Sequence, residues 1–171
     1  MGKIDIIKSI EVNAKSEDVW EIIGPNFVNI ADWSGGILKS WENKTAERKF
    51  KDAPAGGRFC DLGSQGIFEE KILHYNSDKM EITWSAKGKK LPKFVTGLQN
   101  ALKVKKLNEN SCRITTNISA NANGFLGFLM GGIMKKQFSK LADGFVITWK
   151  NYAETGDVSE EKKRELAGVK K

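Results

Sequence analysis

The sequence FVTGLQNALKVKKLNENSCRITTNISAN, residues 94–121, decides the fold because it contains two long strands joined by a short turn. Apolar and polar residues alternate along both strands, which is typical of a sheet with one covered face and one wet face. The covered face holds Leu98, Leu102 and Val104 of the first strand, residues 94–107, and Ile114, Thr116 and Ile118 of the second, residues 111–121. The turn Asn108-Glu109-Asn110 is short enough to require an antiparallel pair.

Further strands precede this pair. The same alternation, with turn residues at its ends, predicts strands at residues 3–13, 37–43, 57–62, 66–75 and 79–87. After the first strand, Ser16 is predicted to cap a short helix, and a second short helical segment is predicted at residues 27–33. The short connections between the later strands indicate an antiparallel sheet of seven strands.

A long helix is predicted to cover the sheet. The sequence FLGFLMGGIMKKQFSKLADGFVITWKNYA, residues 125–153, places apolar residues mostly three or four positions apart, on one side of a helix. The sheet must curl around this helix for both to bury their apolar faces, and a cavity can open between them. The predicted fold class is α+β: a seven-stranded curved antiparallel sheet wrapped around a long C-terminal helix, with two short helices after strand one.

Composition favours one globular domain. The chain has 171 residues, of which 40% are hydrophobic and 29% charged, and no linker or repeat divides it. We expect a domain at residues 1–156 and a charged tail, residues 157–171, without a role in the core. No window approaches the roughly 20 apolar residues that span a bilayer. The N-terminus lacks the apolar core of a secretion signal, so a cytoplasmic location is expected.

Charge and residue inventory exclude several kinds of site. The formal net charge is +7, but the basic clusters lack interleaved aromatic residues, so no nucleic-acid partner is expected. His74 is the only histidine, and Cys60 and Cys112 are the only cysteines, which excludes a zinc site of His and Cys ligands. Phosphate-binding glycine motifs are missing from the sequence, so no cofactor is predicted.

Four sequence features have counterparts in one known superfamily. IEVNAKSEDVW, residues 10–20, joins a strand to a helix, and Trp33 precedes strand two. GRFC, residues 57–60, places an arginine on strand three, and FEEKIL, residues 68–73, places a glutamate on strand four. With the long helix, these features resemble the START-like, or helix-grip, superfamily, in particular its polyketide cyclase/dehydrase and lipid transport branch. The resemblance implies an apolar pocket between sheet and helix, with a few polar side chains that orient a ligand.

Arg58 and Glu70 are the first candidate site residues. If Glu70 and the residues that alternate with it face inward, we expect Glu70 and Arg58 to meet on neighbouring strands, because burying either ion without a partner costs free energy. Ile67 and Leu73 favour the opposite parity, and a purely structural salt bridge is the alternative. The resemblance implies that both line the pocket, where Glu70 would exchange a proton with a ligand and Arg58 would hold an anionic or carbonyl oxygen.

The other candidates are predicted to face the same interior. Asn100 shares the parity of Leu98, and its buried amide needs a protein group or a ligand as its partner. An enzyme of the superfamily has a tyrosine at the position that matches Leu98, so the resemblance does not imply that enzyme's mechanism here. The predicted ligand-binding residues, besides Arg58, Glu70 and Asn100, are Trp33, Phe59, Trp84, Leu98, Phe125 and Phe128.

Three other groups have plain structural interpretations. His74 is expected at a rim or on the surface, close to a turn. Cys60 and Cys112 are expected to be small buried side chains and not nucleophiles. The glycines of the long helix indicate a close approach to the sheet, a break between loop and helix, or a mobile gate: they are Gly124, Gly127, Gly131, Gly132 and Gly144.

Three functions remain open from sequence. The leading hypothesis is a protein, monomeric or weakly dimeric, that binds and carries a small hydrophobic molecule such as a lipid, polyketide or aromatic metabolite. The second is a cofactor-free cyclase or dehydratase in which Glu70 is the acid or base and Arg58 stabilises an enolate. The third is an interaction module whose interior is filled by its own side chains.

Overall fold

The computed structural model describes residues 2–168, and the last three residues of the expected tail, 169–171, lie outside them. Seven antiparallel strands form one sheet in the order β1-β7-β6-β5-β4-β3-β2, which confirms the predicted architecture. The strands are β1 (Gly2–Val12), β2 (Lys39–Glu42), β3 (Gly57–Asp61), β4 (Ile67–Asn76), β5 (Glu81–Gly88), β6 (Val95–Asn108) and β7 (Ser111–Ala122).

Three α-helices accompany the sheet: α1 (Ser16–Ile23), α2 (Gly124–Thr155) and α3 (Glu160–Leu166). A 3-10 segment, Phe27–Asp32, follows α1, and a short 3-10 turn, Gly63–Gln65, precedes β4. The helix α2 packs along β1 and β7, as the helix-grip fold requires. The predicted cap at Ser16 is wrong by one position. Lys15 is the cap residue, and the Ser16 hydroxyl donates instead to the Glu17 carboxylate at 3.0 Å.

Two apolar clusters form the core between the sheet and the helices. The first core cluster lies beneath α1, the 3-10 segment and the C-terminal half of α2; its largest members are Trp20, Phe27, Trp33, Trp84 and Trp149. The second core cluster lies beneath the middle of α2 and includes Ile4, Ile6, Leu98, Ile118, Met134 and Phe138. No helix of the described residues has the length and apolar character needed to cross a membrane.

A bulge in β4 settles which of its residues face inward. Ile72 pairs with Trp84 and His74 with Thr83, so Leu73 is left without a partner on β5. The extra residue reverses the alternation. Residues before the bulge, including Glu70, therefore have the inward parity that Tyr75 has after it. Leu73 and His74 are both exposed. Leu73 is thus an apolar residue that does not face the core, which is why it favoured the wrong inward set for β4 in the sequence.

The glycines of α2 differ in their surroundings. A Cβ on Gly127 would lie 2.5 Å from a backbone carbon of Ala122, so glycine is needed where the helix touches the end of β7. Gly124 has a φ of 67°, in the left-handed region. By contrast, a Cβ on Gly132 or Gly144 would meet nothing within 4 Å. Close approach therefore explains Gly127 but not these two positions.

The segment after α2 packs against the domain, and Val158 of the tail expected to have no role in the core packs against the first core cluster. The Lys162 ammonium of α3 is fully buried and donates to the Ile37 carbonyl at 2.7 Å. The Gly36 N–H donates to the Glu165 carboxylate at 2.9 Å. These contacts hold α3 on the loop between the 3-10 segment and β2. The sequence does not predict these two hydrogen bonds, because in each of them a charged side chain of α3 binds a backbone group that is far away in the chain.

Candidate functional site

Arg58 and Glu70 form an ion pair on the inner face of the sheet. The register places them directly opposite each other on β3 and β4, and the Arg58 Nε donates to Glu70 Oε2 at 2.6 Å. Arg58 is only 1% exposed and the Glu70 side chain 12%, so the pair is held away from bulk water. The two residues singled out from the sequence therefore do meet.

Phe27 holds the other side of the Arg58 guanidinium. Arg58 Nη1 donates to the Phe27 carbonyl, and the guanidinium carbon lies 3.9 Å from the centre of the Phe27 ring. The same guanidinium carbon lies 5.4 Å from the centre of the Trp84 ring. These are cation–π contacts, which are strongest when the cation is desolvated. Arg58 thus ties the 3-10 segment to the sheet.

Both cysteines are neutral thiols at physiological pH. Burial, followed by the nearby Glu70 carboxylate, raises the pKa of Cys60 to about 12. The Cys60 Sγ lies 3.7 Å from the same Glu70 oxygen that binds Arg58. Burial likewise raises the pKa of Cys112 to about 11. Because the thiolate is the nucleophilic form, these environments favour a packing role for both side chains.

Three buried indole N–H groups have no partner among the described residues. They belong to Trp33, Trp84 and Trp149, all members of the first core cluster. Buried donors are almost always satisfied in folded proteins, so three in one cluster require an explanation. The sequence pattern puts Trp149 on the apolar side of the predicted long helix but does not show that its indole N–H is unpaired. Its sequence signal is a large amphipathic ring on the buried stripe of α2.

Aromatic rings surround these donors. Trp33 stacks on Tyr152 with 5.9 Å between ring centres and lies 5.6 Å from Phe145. Phe145 also contacts Trp149, at 6.0 Å, so the rings of Trp33 and Trp149 share a neighbour. Trp84 meets the edge of Phe27 at 5.5 Å. The three indole rings therefore each contact at least one other aromatic ring, within a cluster that also contains many aliphatic side chains.

Asn100 and Leu98 both lie on the inner side of β6. Asn100 is opposite Trp84 on β5 and is partly buried. Its amide makes no side-chain hydrogen bond within residues 2–168. Leu98 is 8% exposed and belongs to the second core cluster. The alternation predicted for this strand thus places a free amide beside the Trp84 indole.

Three predicted pocket residues lie elsewhere. Phe59 projects from the other face of β3, where it stacks on Trp41 at 5.7 Å, because successive strand residues face opposite ways. Its assignment to the pocket wall is therefore corrected. Phe125 and Phe128 lie in the first turns of α2 and are 75% and 82% exposed. They do not contact Arg58 or Glu70, because α2 begins at the far end of β7.

The outer surface holds the remaining candidates. His74 is half-exposed, with its Nε2 3.7 Å from the Glu81 carboxylate, which agrees with the expected surface position. Among the described residues, no group of His, Cys, Asp or Glu could hold a metal ion. Two grooves, of about 740 and 250 Å³, open on the surface, and neither is lined by Arg58 or Glu70.

Comparison with known proteins identifies the family. Residues 3–154 match the model of the polyketide cyclase/dehydrase and lipid transport family, and the chain belongs to it. No curated protein sequence matches the chain significantly.

Solved structures share the fold at low sequence identity. A START superfamily protein from Mycobacterium smegmatis matches with a TM-score of 0.70 and 16% identity, covering 91% of this chain and 100% of that one. A point mutant of norcoclaurine synthase from Thalictrum flavum, in complex with a transition-state analogue, matches with a TM-score of 0.68 and 14% identity, covering 89% and 94%. Family and fold together suggest that the chain binds a hydrophobic ligand.

Proposed function

We propose that the protein binds a small apolar molecule bearing a hydrogen-bond acceptor, within the first core cluster between the sheet and the C-terminal half of α2. The observation that carries the proposal is the group of three unpaired indole donors in that cluster. Membership of a family that includes lipid transport supports it. Among lipids, polyketides and aromatic metabolites, the ring-lined surroundings favour a polyketide or aromatic ligand with a carbonyl group.

The energetics favour a ligand that accepts hydrogen bonds. Each buried donor without a partner costs roughly 1–3 kcal/mol, and a bound carbonyl oxygen would remove part of that cost. Asn100 offers a further free amide beside Trp84. Arg58, paired with Glu70 and stacked on two rings, would fix the position of Trp84 and would not itself bind the ligand. The buried members of the first core cluster are almost fully enclosed, so a ligand would reach them through movement of α2 or the adjoining loops.

Two naphthalene probes test the role of the indole donors. 2-Acetylnaphthalene carries a carbonyl acceptor, whereas 2-ethylnaphthalene has a similar shape without one. Trp84→Phe keeps an aromatic ring but removes the donor. We expect this variant to lose about tenfold in affinity for the acetyl probe, equal to one hydrogen bond, and to bind the ethyl probe almost unchanged. Binding is measured by calorimetry or by competition with a fluorescent naphthalene.

Trp20→Phe is the matched control. Trp20 is buried in the same core cluster, but its indole nitrogen is not among the unpaired buried donors. The control variant should bind both probes as the unchanged protein does. An equal loss for both probes in Trp84→Phe, or binding of neither probe by the unchanged protein, would contradict the proposal. The second outcome would favour an interaction module with a filled interior. Mass spectrometry of an organic extract of the purified protein identifies the natural ligand.

A cofactor-free cyclase or dehydratase is the second candidate, and one feature favours it. Both contacts of Glu70 use Oε2, so Oε1 accepts no hydrogen bond from the described residues. That oxygen is free to take a proton from a bound substrate. Glu70→Gln should abolish turnover of a polyketide substrate and leave its binding unchanged. Loss of substrate binding together with turnover, in a variant that circular dichroism shows to be folded, would contradict this role of Glu70.

A cytoplasmic location, a monomeric or weakly dimeric state and the lack of cofactor and nucleic-acid partner stay predictions from the sequence.

A further inference from the structure

The first turns of α2 expose several large apolar side chains. We call residues 125–133 the apolar segment. Its exposed members are Phe125, Leu126, Phe128, Leu129, Met130 and Ile133, and Phe128 is 82% exposed. Monomeric soluble proteins rarely expose such a continuous apolar surface unless another surface covers it.

The fold explains why the apolar segment has nothing to pack on. Gly127 touches Ala122, the last residue of β7, and the helix runs from there along β7 and β1. Only Gly127 of this segment is buried, and the continuous buried stripe of α2 starts at Met134. The apolar character of residues 125–133 is therefore not required by the core.

Lysines surround the apolar segment. Lys135, Lys136 and Lys140 are exposed on the next turns of α2, and the sequence has no acidic residue between Glu109 and Asp143. The β5–β6 connection adds the exposed residues Lys89, Lys90 and Lys93. This connection lies beside the start of α2, because the Asn123 N–H donates to the Phe94 carbonyl at 2.8 Å.

Two carboxylates lie in a groove beside this helix. Asp5 and Asp143 line the groove between β1 and α2, together with Lys135, Lys136 and Lys140. Asp143 is paired with Lys8 at 2.9 Å. The end of the molecule that carries the apolar segment is therefore both apolar and positively charged.

We propose that the apolar segment of α2 inserts into the surface of a membrane that contains anionic phospholipids, with the neighbouring lysines bound to the headgroups. An exposed apolar helix beside Lys residues has the chemistry of an interfacial membrane helix. A second copy of the chain fits less well, since a symmetric pair of these segments would bring the same lysines together. The proposal does not depend on the ligand proposed for the interior.

Vesicle flotation tests this docking. The unchanged protein should bind phosphatidylcholine vesicles that contain phosphatidylserine, and bind pure phosphatidylcholine vesicles much more weakly. Phe125→Ser/Phe128→Ser should bind the anionic vesicles about tenfold or more weakly, since each exposed phenylalanine loses its apolar contact with lipid. The matched control is Leu73→Ser/Leu107→Ser, which changes two exposed leucines away from the start of α2 and should bind normally.

A charge variant tests the second half of the proposal. Lys135→Gln/Lys136→Gln should bind the anionic vesicles several-fold more weakly, with a smaller dependence on salt. Its control is Lys105→Gln/Lys106→Gln, near the other end of the sheet, which should bind as the unchanged protein does. Circular dichroism and thermal unfolding establish that all four variants fold.

Three results would overturn the proposal. The first is absence of vesicle binding by the unchanged protein. The second is equal loss of binding in a control and its test variant. The third is a stable dimer in solution that Phe125→Ser/Phe128→Ser dissociates, with no vesicle binding, which would assign the apolar segment to a second copy of the chain.

Discussion

Glu70→Ala is expected to lower the free energy of unfolding by about 3–5 kcal/mol, because it leaves the Arg58 charge buried without its counter-ion. Arg58 is 1% exposed, so water cannot replace the carboxylate that accepts its Nε hydrogen bond at 2.6 Å. The Phe27 carbonyl and ring remain, which places the cost within this range and not above it. For a domain of this size the melting temperature should fall by roughly 6–20 °C.

Glu69→Ala is the matched control for that substitution. Glu69 is the neighbouring carboxylate; its side chain is 33% exposed, it pairs with Lys71, 50% exposed, at 3.0 Å, and it accepts a hydrogen bond from the buried Asn43 amide at 3.2 Å. A screened ion pair contributes about 1 kcal/mol or less and a hydrogen bond about 1 kcal/mol, so Glu69→Ala should cost about 2 kcal/mol or less. Both variants are measured by urea unfolding, followed by tryptophan fluorescence and by far-ultraviolet circular dichroism.

A double variant separates the buried charge from the loss of packing. Arg58→Met/Glu70→Ala removes both ions, and it should be at least about 1 kcal/mol more stable than Glu70→Ala. The remaining loss comes partly from the Phe27 carbonyl, which no longer receives a hydrogen bond, at about 1–3 kcal/mol. If Glu70→Ala costs no more than Glu69→Ala, or if the double variant is the least stable of the set, the buried pair does not hold the 3-10 segment to the sheet.

Two further predictions concern a thiol and the glycines of α2. Because burial raises the pKa of Cys60 from 9.0 to about 12, the folded protein holds this proton more tightly than the unfolded chain. This contribution to stability is complete below pH 9 and is lost as the pH rises through about 12. The urea midpoint should therefore fall less between pH 9 and 12 in Cys60→Ala than in the unchanged protein. An equal fall in both proteins would contradict this prediction. Gly132→Ala and Gly144→Ala should each stabilise the protein by about 1 kcal/mol in thermal unfolding, since an added Cβ meets open space. Gly127→Ala, where the Cβ would lie 2.5 Å from Ala122, should instead destabilise it, and stabilisation at that position would refute the close contact.

The sequence predicts those parts of the fold that depend on strand alternation. The parities of β6 and β7 follow from alternation alone, because one face of these strands is apolar and the other polar. The meeting of Arg58 and Glu70 follows from the same reasoning plus the cost of burying an unpaired ion. Both steps use only local pattern and short-range register, which an amino-acid sequence contains directly.

The features that sequence reasoning missed depend on contacts distant in the chain. The bulge at Leu73 reverses the parity of β4, and no turn residue marks it. Phe59 is aromatic on a strand with inward neighbours, yet it belongs to a stacked pair on the outer face. Lys162 is one charge in a charged tail, and its burial depends on a carbonyl 125 residues away. Composition cannot reveal any of these.

The two halves of α2 differ in chemistry, and this difference connects the two proposals. The C-terminal half buries Trp149 against the sheet, where the free indole donors lie. The apolar segment at its N-terminus exposes Phe125 and Phe128, and of this segment only Gly127 is buried. Gly132 lies near the end of this segment, just before the buried stripe that starts at Met134, and an added Cβ there would meet nothing within 4 Å. The two proposals therefore concern separate parts of one helix: the apolar segment would contact the lipid while the stripe from Met134 to Trp149 stays packed on the sheet.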